Sequence, residues 1–248
     1  MSQSSVKTAL GELTIIVLGV LIALFAESAW NDYQDRVEGR RYLARLAVEA
    51  KENLEVLGQD RSWAQYSCAS ARSAWSSLRD PEDEQDPAAF LRSAVLTSLY
   101  ANPRYQRVTY DDLVGTGGLS LINDAILRAK IIAAYTEFFE SLDAWRPPKD
   151  APIRTVVIRT LPGEFVNSIA TDCLEIQEPD SGAFTMKACS TAPVGATAEN
   201  LVDSMKKTPD LEGYLLERAW QTCEFEEDMT FATELLEELV ADLDAAIQ

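Results

Sequence analysis

The sequence predicts a mainly α-helical protein: an antiparallel helical bundle on one amino-terminal transmembrane helix, with a small insertion that contains a β-hairpin. Three observations support this fold class. An uncharged apolar run lies near the amino terminus, apolar residues recur at three-and-four spacing through most of the remaining chain, and prolines concentrate between 147 and 200. A length of 248 residues, 47% of them hydrophobic, suits one folded domain or two small ones.

The apolar run covers residues 13–26 (LTIIVLGVLIALFA), and its flanks extend it to 22 residues, 9–30. A helix of that length measures roughly 33 Å, enough to cross a hydrocarbon core of about 30 Å. We therefore predict a short tail over 1–11 and a transmembrane helix over 12–30, with Trp30 and Tyr33 suited to the interface. A cleaved signal peptide is the alternative, but no small-residue cleavage site follows the run.

Small residues lie along one stripe of the predicted transmembrane helix, with spacings of eight, four and three residues. They are Gly11, Gly19, Ala23 and Ala26. Small side chains let a second helix approach closely, so this stripe predicts a helix contact. The alternative is a passive anchor, because small residues are common in membrane helices.

Residues 31–146 are predicted to form a helical bundle. One helix continues out of the membrane and stops at Gly58, and a second runs from about Asp60 to Leu78. The later predicted elements are a helix over Ala88–Tyr100, a short helix over Tyr110–Val114, and a long helix that Asn123 caps and that ends before Pro147–Pro148.

Residues 147–200 are predicted to be a proline-rich insertion with a β-hairpin. Within it, Val156–Ile158 is predicted to be a strand or a short helix. From Leu211 the helical spacing returns, so residues 201–248 complete the bundle with one helix of roughly 50 Å. Residues 199–248 hold 14 acidic and three basic side chains. The outer face of this helix is interpreted as a solvated anionic surface, with docking onto a basic partner subunit as the alternative.

The four cysteines divide into two pairs. Cys173 and Cys189 bracket two short alternating segments around a turn at 179–182, so a hairpin would bring them together. Cys68 and Cys223 lie in separate helical segments that can pack side by side. Two disulfides indicate an oxidising compartment such as the periplasm, whereas four buried thiols in a cytoplasmic protein remain the alternative.

Charges beside the span point to the opposite side of the membrane. Only Lys7 precedes the span, and four arginines follow it, so the positive-inside rule would place the bundle in the cytoplasm. Acidic residues mix with these arginines, and long domains often translocate despite flanking charge. We therefore expect a single-pass protein of a bacterial inner membrane with most of its chain in the periplasm.

Composition excludes several function classes. The 40 acidic residues against 22 Lys and Arg give a net charge of −18, which repels nucleic acid. The sequence contains no histidine, which excludes Ser-His-Asp and Cys-His nucleophiles and histidine ligation of metal or haem. We predict a protein without catalytic residues, cofactor or metal.

Five further groups of residues resemble sites but have simpler interpretations. Glycines 115, 117 and 118 match no phosphate-loop spacing and predict a helix-to-helix turn. Asp111, Asp112, Asn123 and Asp124 are interpreted as helix caps, with a hard-cation site as the alternative. Adjacent acids at 226–228 point in different directions from a helix, and Glu12 and Glu27 lie near the membrane interfaces. Tryptophans 63, 75, 145 and 220 are expected in the core or an interface.

Two stretches carry a resemblance to a known family. Residues 11–32 (GELTIIVLGVLIALFAESAWND) with 40–54 (RRYLARLAVEAKENL), and residues 109–135 (TYDDLVGTGGLSLINDAILRAKIIAAY), resemble a family of bacterial single-pass membrane proteins with no assigned function. In that family a basic arm precedes the span and implies a cytoplasmic amino end; here Lys7 alone stands for it. The resemblance implies no catalytic activity.

These observations predict a non-catalytic, membrane-anchored accessory or scaffolding subunit of a larger membrane protein complex, for example a photosynthetic or respiratory one. Its expected partners are other membrane subunits, contacted through the span and the bundle, and the lipid bilayer. The alternative is a periplasmic sensor or ligand-binding module.

Overall fold

The computed structural model describes residues 3–79, 86–175, 185–187, 189–191 and 197–248. These residues form eight α-helices, a short 3-10 helix at Gly118–Leu121 and a two-stranded hairpin, so the predicted helical fold class is confirmed. The helices are α1 (Gln3–Arg79), α2 (Pro87–Ser98), α3 (Val108–Gly115), α4 (Ala125–Trp145), α5 (Pro152–Thr160), α6 (Gly163–Asp172), α7 (Ala198–Lys206) and α8 (Leu211–Ile247). The strands are β1 (Leu174–Glu175) and β2 (Thr185–Met186), paired antiparallel.

Helix α1 is one uninterrupted helix of 77 residues, roughly 115 Å long. The predicted stop at Gly58 is therefore wrong. Residues 3–11 of the expected tail, the expected span and the first two bundle helices form a single element. A glycine inside a helix costs about 1 kcal/mol relative to alanine. Leu57 and Trp63, on either side of Gly58, are both fully buried in one core, and this burial outweighs that cost.

Helices α1 and α8 pack antiparallel along most of the bundle. Three polar pairs mark the register: Lys51 with Asp244 at 2.8 Å, Gln65 with Glu226 at 3.2 Å, and Arg79 with Glu212 at 3.3 Å. Helix α8 has 37 residues, about 55 Å. The predicted single helix over 201–248 is wrong at its start, because residues 201–206 belong to the separate helix α7. The end of α8 returns beside the part of α1 where the bundle begins.

Two hydrophobic cores follow one another along this helix pair. The first, the proximal core, joins α1, α3, α4 and the second half of α8. Its fully buried side chains include Leu46, Trp63, Ile131, Phe138, Phe225 and Leu236. The second, the distal core, joins the end of α1 and the start of α8 to α2, α5, α6 and α7, with Leu91, Ile153, Val157, Phe165, Met205 and Leu215 inside. The region predicted as an insertion thus supplies much of the distal core.

Several predicted boundaries shift by one or two residues. Asp124, and not Asn123, caps α4, because its carboxylate accepts the backbone N–H groups of Ile126 and Leu127 at 2.8 and 3.1 Å. The segment 156–158 takes the helical alternative, within α5. The predicted hairpin is confirmed by the pairing of β1 with β2, while its turn at 179–182 lies outside the described residues.

Candidate functional site

The amino-terminal part of α1 projects from the bundle without cover. Every residue from 16 to 36 is exposed, and the large apolar side chains among them include Phe25, which is 77% exposed. An 18-residue window of this helix reaches a mean hydropathy of 1.3 and has none of its residues buried. Length and composition are thus sufficient for one membrane span in the described part of the chain.

Aromatic side chains mark the end of this apolar stretch. Trp30 and Tyr33 are exposed, and their ring centroids lie 6.0 Å apart. Glu27 is also exposed. The side chain of Glu12 lies outside the described residues.

The stripe of small residues lies wholly within the projecting helix. Ala23 and Ala26 are exposed, and a Cβ atom at Gly19 would meet nothing within 4 Å; Gly11 lies in the same helix. No described part of this chain covers the stripe. It therefore remains available to a second helix, and the predicted contact remains a prediction.

The bundle begins where α1 meets the 3-10 helix. A Cβ atom at Gly39 would collide with the backbone carbonyl oxygen of Leu121, so the missing side chain is what allows this contact. Asp112 of α3 accepts hydrogen bonds from the Tyr42 hydroxyl at 3.2 Å and from Arg45 at 3.3 Å. The projecting helix is thus continuous with the bundle and is held to it by these contacts.

The acidic residues and glycines beside this junction have structural roles. Asp111 pairs with Arg107 at 2.8 Å, Asp112 holds α1, and Asp124 caps α4. Gly117 has a φ of 74°, a left-handed conformation that suits the predicted helix-to-helix turn. Among the described residues, no group of three or more Cys, Asp or Glu side chains is placed to hold a metal ion.

Both predicted disulfides are present. Cys68 is bonded to Cys223, with their Cα atoms 4.8 Å apart, and this bond links α1 to α8 between the proximal and distal cores. Cys173 is bonded to Cys189 and closes the hairpin region, with a Cα separation of 5.2 Å. All four cysteines are used, so no free thiol remains.

Buried charged groups were not recognised in the sequence. Asp60 is fully buried and accepts two hydrogen bonds from Arg146 and one, at 2.9 Å, from the Tyr105 hydroxyl. Burial and the charge of Asp60 raise the pKa of Tyr105, which therefore remains a donor at neutral pH. Acidic residues at inward positions of α1 could have indicated buried charges, but the residues that pair with them lie far away in the sequence.

Glu49 provides a second buried acceptor. Its carboxylate accepts a hydrogen bond from the Tyr135 hydroxyl at 2.8 Å. It accepts a second, at 2.6 Å, from the backbone N–H of Thr109 at the start of α3. Burial, followed by the charge of Glu49, raises the pKa of Tyr135. Glu49 also lines a surface cleft of about 410 Å³, yet both of its oxygens are already bonded within the fold.

Arg218 of α8 is a buried cation that has no carboxylate partner among the described residues. It donates to the backbone carbonyl oxygens of Thr97, Leu99 and Pro148 at 3.2, 3.0 and 3.3 Å. Two of these oxygens lie at the carboxyl end of α2, where the helix dipole favours positive charge. Burial lowers the pKa of the Arg218 guanidinium to about 10, so the group remains charged at neutral pH.

The acidic run at 226–228 divides between different surroundings, as the sequence predicts. Glu226 accepts a hydrogen bond from Gln65, Glu227 is exposed, and Asp228 lines a surface cleft with Glu224. The tryptophan prediction holds for Trp63, which is fully buried, and Trp75 packs at the edge of the distal core. Trp220 is 65% exposed, and the side chain of Trp145 lies outside the described residues.

Comparisons of the chain with family models, curated proteins and solved structures find no match.

Proposed function

We propose that this chain is a non-catalytic, single-pass protein of a bacterial inner membrane that acts as an accessory or scaffolding subunit of a larger membrane protein complex. One observation carries the proposal. The 21 uncovered residues at 16–36 belong to the same continuous helix that forms the centre of both cores. A rigid connection of this kind fixes the height and rotation of the bundle relative to the span, which a flexible linker would not do.

Features of the uncovered helix support the contact part of this function. The apolar stretch of this helix, residues 9–30, measures roughly 33 Å and is either covered by lipid or shared with other membrane helices. The stripe at Gly19 and Ala23 offers the close approach on which helix association in membranes depends. The bundle itself uses its conspicuous carboxylates at Asp60, Asp112 and Asp124 for structure.

The disulfides support a periplasmic position of the bundle. Such bonds persist in oxidising compartments and are rare where cellular thiols keep cysteines reduced. The bond between Cys68 and Cys223 joins the two principal helices, so it belongs to the bundle and not to a peripheral loop.

Native purification tests the scaffolding role. The full chain is extracted in mild detergent, and the proteins that copurify with it are identified by mass spectrometry. We expect the same set of membrane proteins in repeated preparations. The double variant Gly19→Leu/Ala23→Leu should insert normally and lose at least tenfold of that yield, because bulky side chains prevent close approach. The control variant Val17→Leu/Leu21→Ile, on the opposite side of the helix, should retain it. A wild-type chain that purifies alone would contradict the scaffolding role.

Thiol mapping tests the compartment. Cells are treated with an alkylating reagent before lysis, and the peptides are mapped without reduction. We expect the linked pairs Cys68–Cys223 and Cys173–Cys189. Recovery of four alkylated cysteines would contradict the periplasmic assignment and leave the scaffolding role to be judged by the purification.

A further inference from the structure

A surface cleft of about 370 Å³ lies where the carboxyl end of α4 meets the middle of α8. Its apolar wall consists of Pro147, Pro148 and the indole of Trp220. Arg146 lines the cleft from the end of α4, and the polar wall on α8 consists of Gln221, Glu224 and Asp228, which lie within two turns of that helix. The cleft belongs to neither hydrophobic core and faces outward from the bundle.

The two carboxylates of the polar wall are unpaired in the described part of the chain. Neither Glu224 nor Asp228 takes part in any ion pair or hydrogen bond of the described residues. The Oε1 atom of Gln221 is buried and has no hydrogen-bond partner, while its amide nitrogen donates to Glu217 at 3.1 Å. An unpartnered buried acceptor costs free energy.

The one cation that lines this cleft is engaged elsewhere. The Arg146 guanidinium donates to the two oxygens of Asp60, at 2.6 and 3.1 Å, on the inner side of α4. Burial, then the charges of Glu224 and Glu227, raise the pKa of Asp228. The negative charge of the cleft is therefore not neutralised within the described part of the chain.

The apolar wall offers a ring face on which a planar cation can stack. Trp220 is 65% exposed, so its ring face is open. A guanidinium stacks on such a face and still directs N–H groups sideways to carboxylates, whereas an ammonium lacks the planar fork. Its five donors are enough to pair with both carboxylates.

The surroundings of the cleft indicate a polypeptide. Phe231, which is 55% exposed, follows Trp220 by three helical turns on the same face, and Leu216 precedes it by one turn. Glu217, Glu227 and Glu234 are exposed along the same helix. A basic amphipathic segment would match this apolar and anionic surface, and a second copy of a chain with a net charge of −18 would be repelled by it.

We propose that this cleft receives an arginine side chain from a basic segment of a partner protein, stacked on Trp220 and paired with Glu224 and Asp228. The proposal rests on the scaffolding function and names the chemistry of one partner. It does not depend on the side of the membrane on which the bundle lies.

A peptide titration tests the proposal. The probe is a fluorescently labelled amphipathic peptide with arginines at helical spacing, titrated with the full chain in mild detergent. Replacing its arginines by the neutral isostere citrulline should weaken binding at least tenfold, and replacing them by lysine at least threefold. Equal affinity for the lysine peptide would overturn the proposal, because it would show that only net charge is recognised.

Matched variants locate the binding. Glu224→Gln/Asp228→Asn should weaken arginine-peptide binding at least tenfold. Glu55→Gln/Glu237→Gln removes the same charge from exposed positions outside the cleft and should change binding less than threefold. Equal losses in both variants, or no saturable binding to the wild type, would overturn the proposal. Trp220→Leu keeps an apolar side chain and should still weaken binding several-fold, which gives a second test if the charge variant folds poorly.

The same variants separate this proposal from the scaffolding function. If the wild type copurifies with partners and Glu224→Gln/Asp228→Asn retains all of them, the cleft proposal is wrong and the scaffolding function stands. If the wild type has no partners, the scaffolding function is wrong, and the titration still decides what the cleft binds. A wild-type dimer in detergent that the cleft variant dissociates would identify a second copy as the occupant and overturn the proposal.

Discussion

The guanidinium of Arg146 holds the carboxylate of Asp60 through two parallel hydrogen bonds, Nη2 to Oδ2 at 2.6 Å and Nη1 to Oδ1 at 3.1 Å. Asp60 is fully buried on α1, and Arg146 follows the last residue of α4. The pair therefore fixes where the chain leaves α4 relative to the central helix. A buried ion pair contributes little net stability, but one isolated partner is strongly destabilising.

Removing one member of this pair is expected to be worse than removing both. Arg146→Met leaves the Asp60 charge buried and should lower the free energy of unfolding by about 3–5 kcal/mol. Asp60→Leu/Arg146→Met replaces both charges by apolar groups and should recover most of that loss. Urea unfolding in mild detergent, followed by circular dichroism, measures both. A double variant as unstable as the single one would show that the pair is not coupled.

The two disulfides should differ in their contribution to stability. The bond between Cys68 and Cys223 spans 155 residues, whereas that between Cys173 and Cys189 spans 16. Loop-closure entropy predicts losses of about 5 and about 3 kcal/mol when each is removed. Thermal unfolding of Cys68→Ser/Cys223→Ser and Cys173→Ser/Cys189→Ser, compared in one detergent, tests the order. The reverse order would show that native-state packing, and not chain entropy, dominates.

Two glycines of α1 should respond to alanine with opposite signs. At Gly39 the added methyl group meets the Leu121 carbonyl oxygen, and backbone yields poorly, so Gly39→Ala should cost about 1–3 kcal/mol. At Gly58 nothing lies within 4 Å of the added group, so Gly58→Ala should stabilise the helix by about 0.5–1 kcal/mol. The urea concentrations at the midpoints of unfolding of the two variants, compared with that of the wild type, measure both effects. A neutral Gly39→Ala would mean that the 3-10 helix can move away from α1.

Asp228 should reduce stability at neutral pH. Burial, Glu224 and Glu227 raise its pKa in the folded protein, so the folded state disfavours the ionised form. Asp228→Asn is therefore expected to raise the melting temperature at pH 7. The gain should shrink as the pH falls through the raised pKa and vanish below the pKa of the unfolded chain, where both states are protonated. A gain that persists at low pH would point to packing and not charge.

The sequence by itself determined the local features of this protein. Three-and-four spacing places Leu215, Phe225 and Leu236 on one face of α8, and a helix with such a face forms wherever that face can be buried. The uncharged run at 13–26 is apolar in any arrangement of the rest. The cysteine pairs followed from a short hairpin and from two helices that could lie side by side, because a hairpin fixes proximity through nearby residues.

Only the tertiary structure decided features that depend on distant partners. Gly58 ends a helix by local propensity, but burial of Leu57 and Trp63 in one core continues it. Asp60 meets Arg146 across 86 residues, and Trp220 stays outside while Trp63 is buried. The prolines at 147–200 suggested a separate insertion, yet α5 and α6 complete the distal core. Periodicity records which face of a helix is apolar, and packing energy alone selects which elements cover that face.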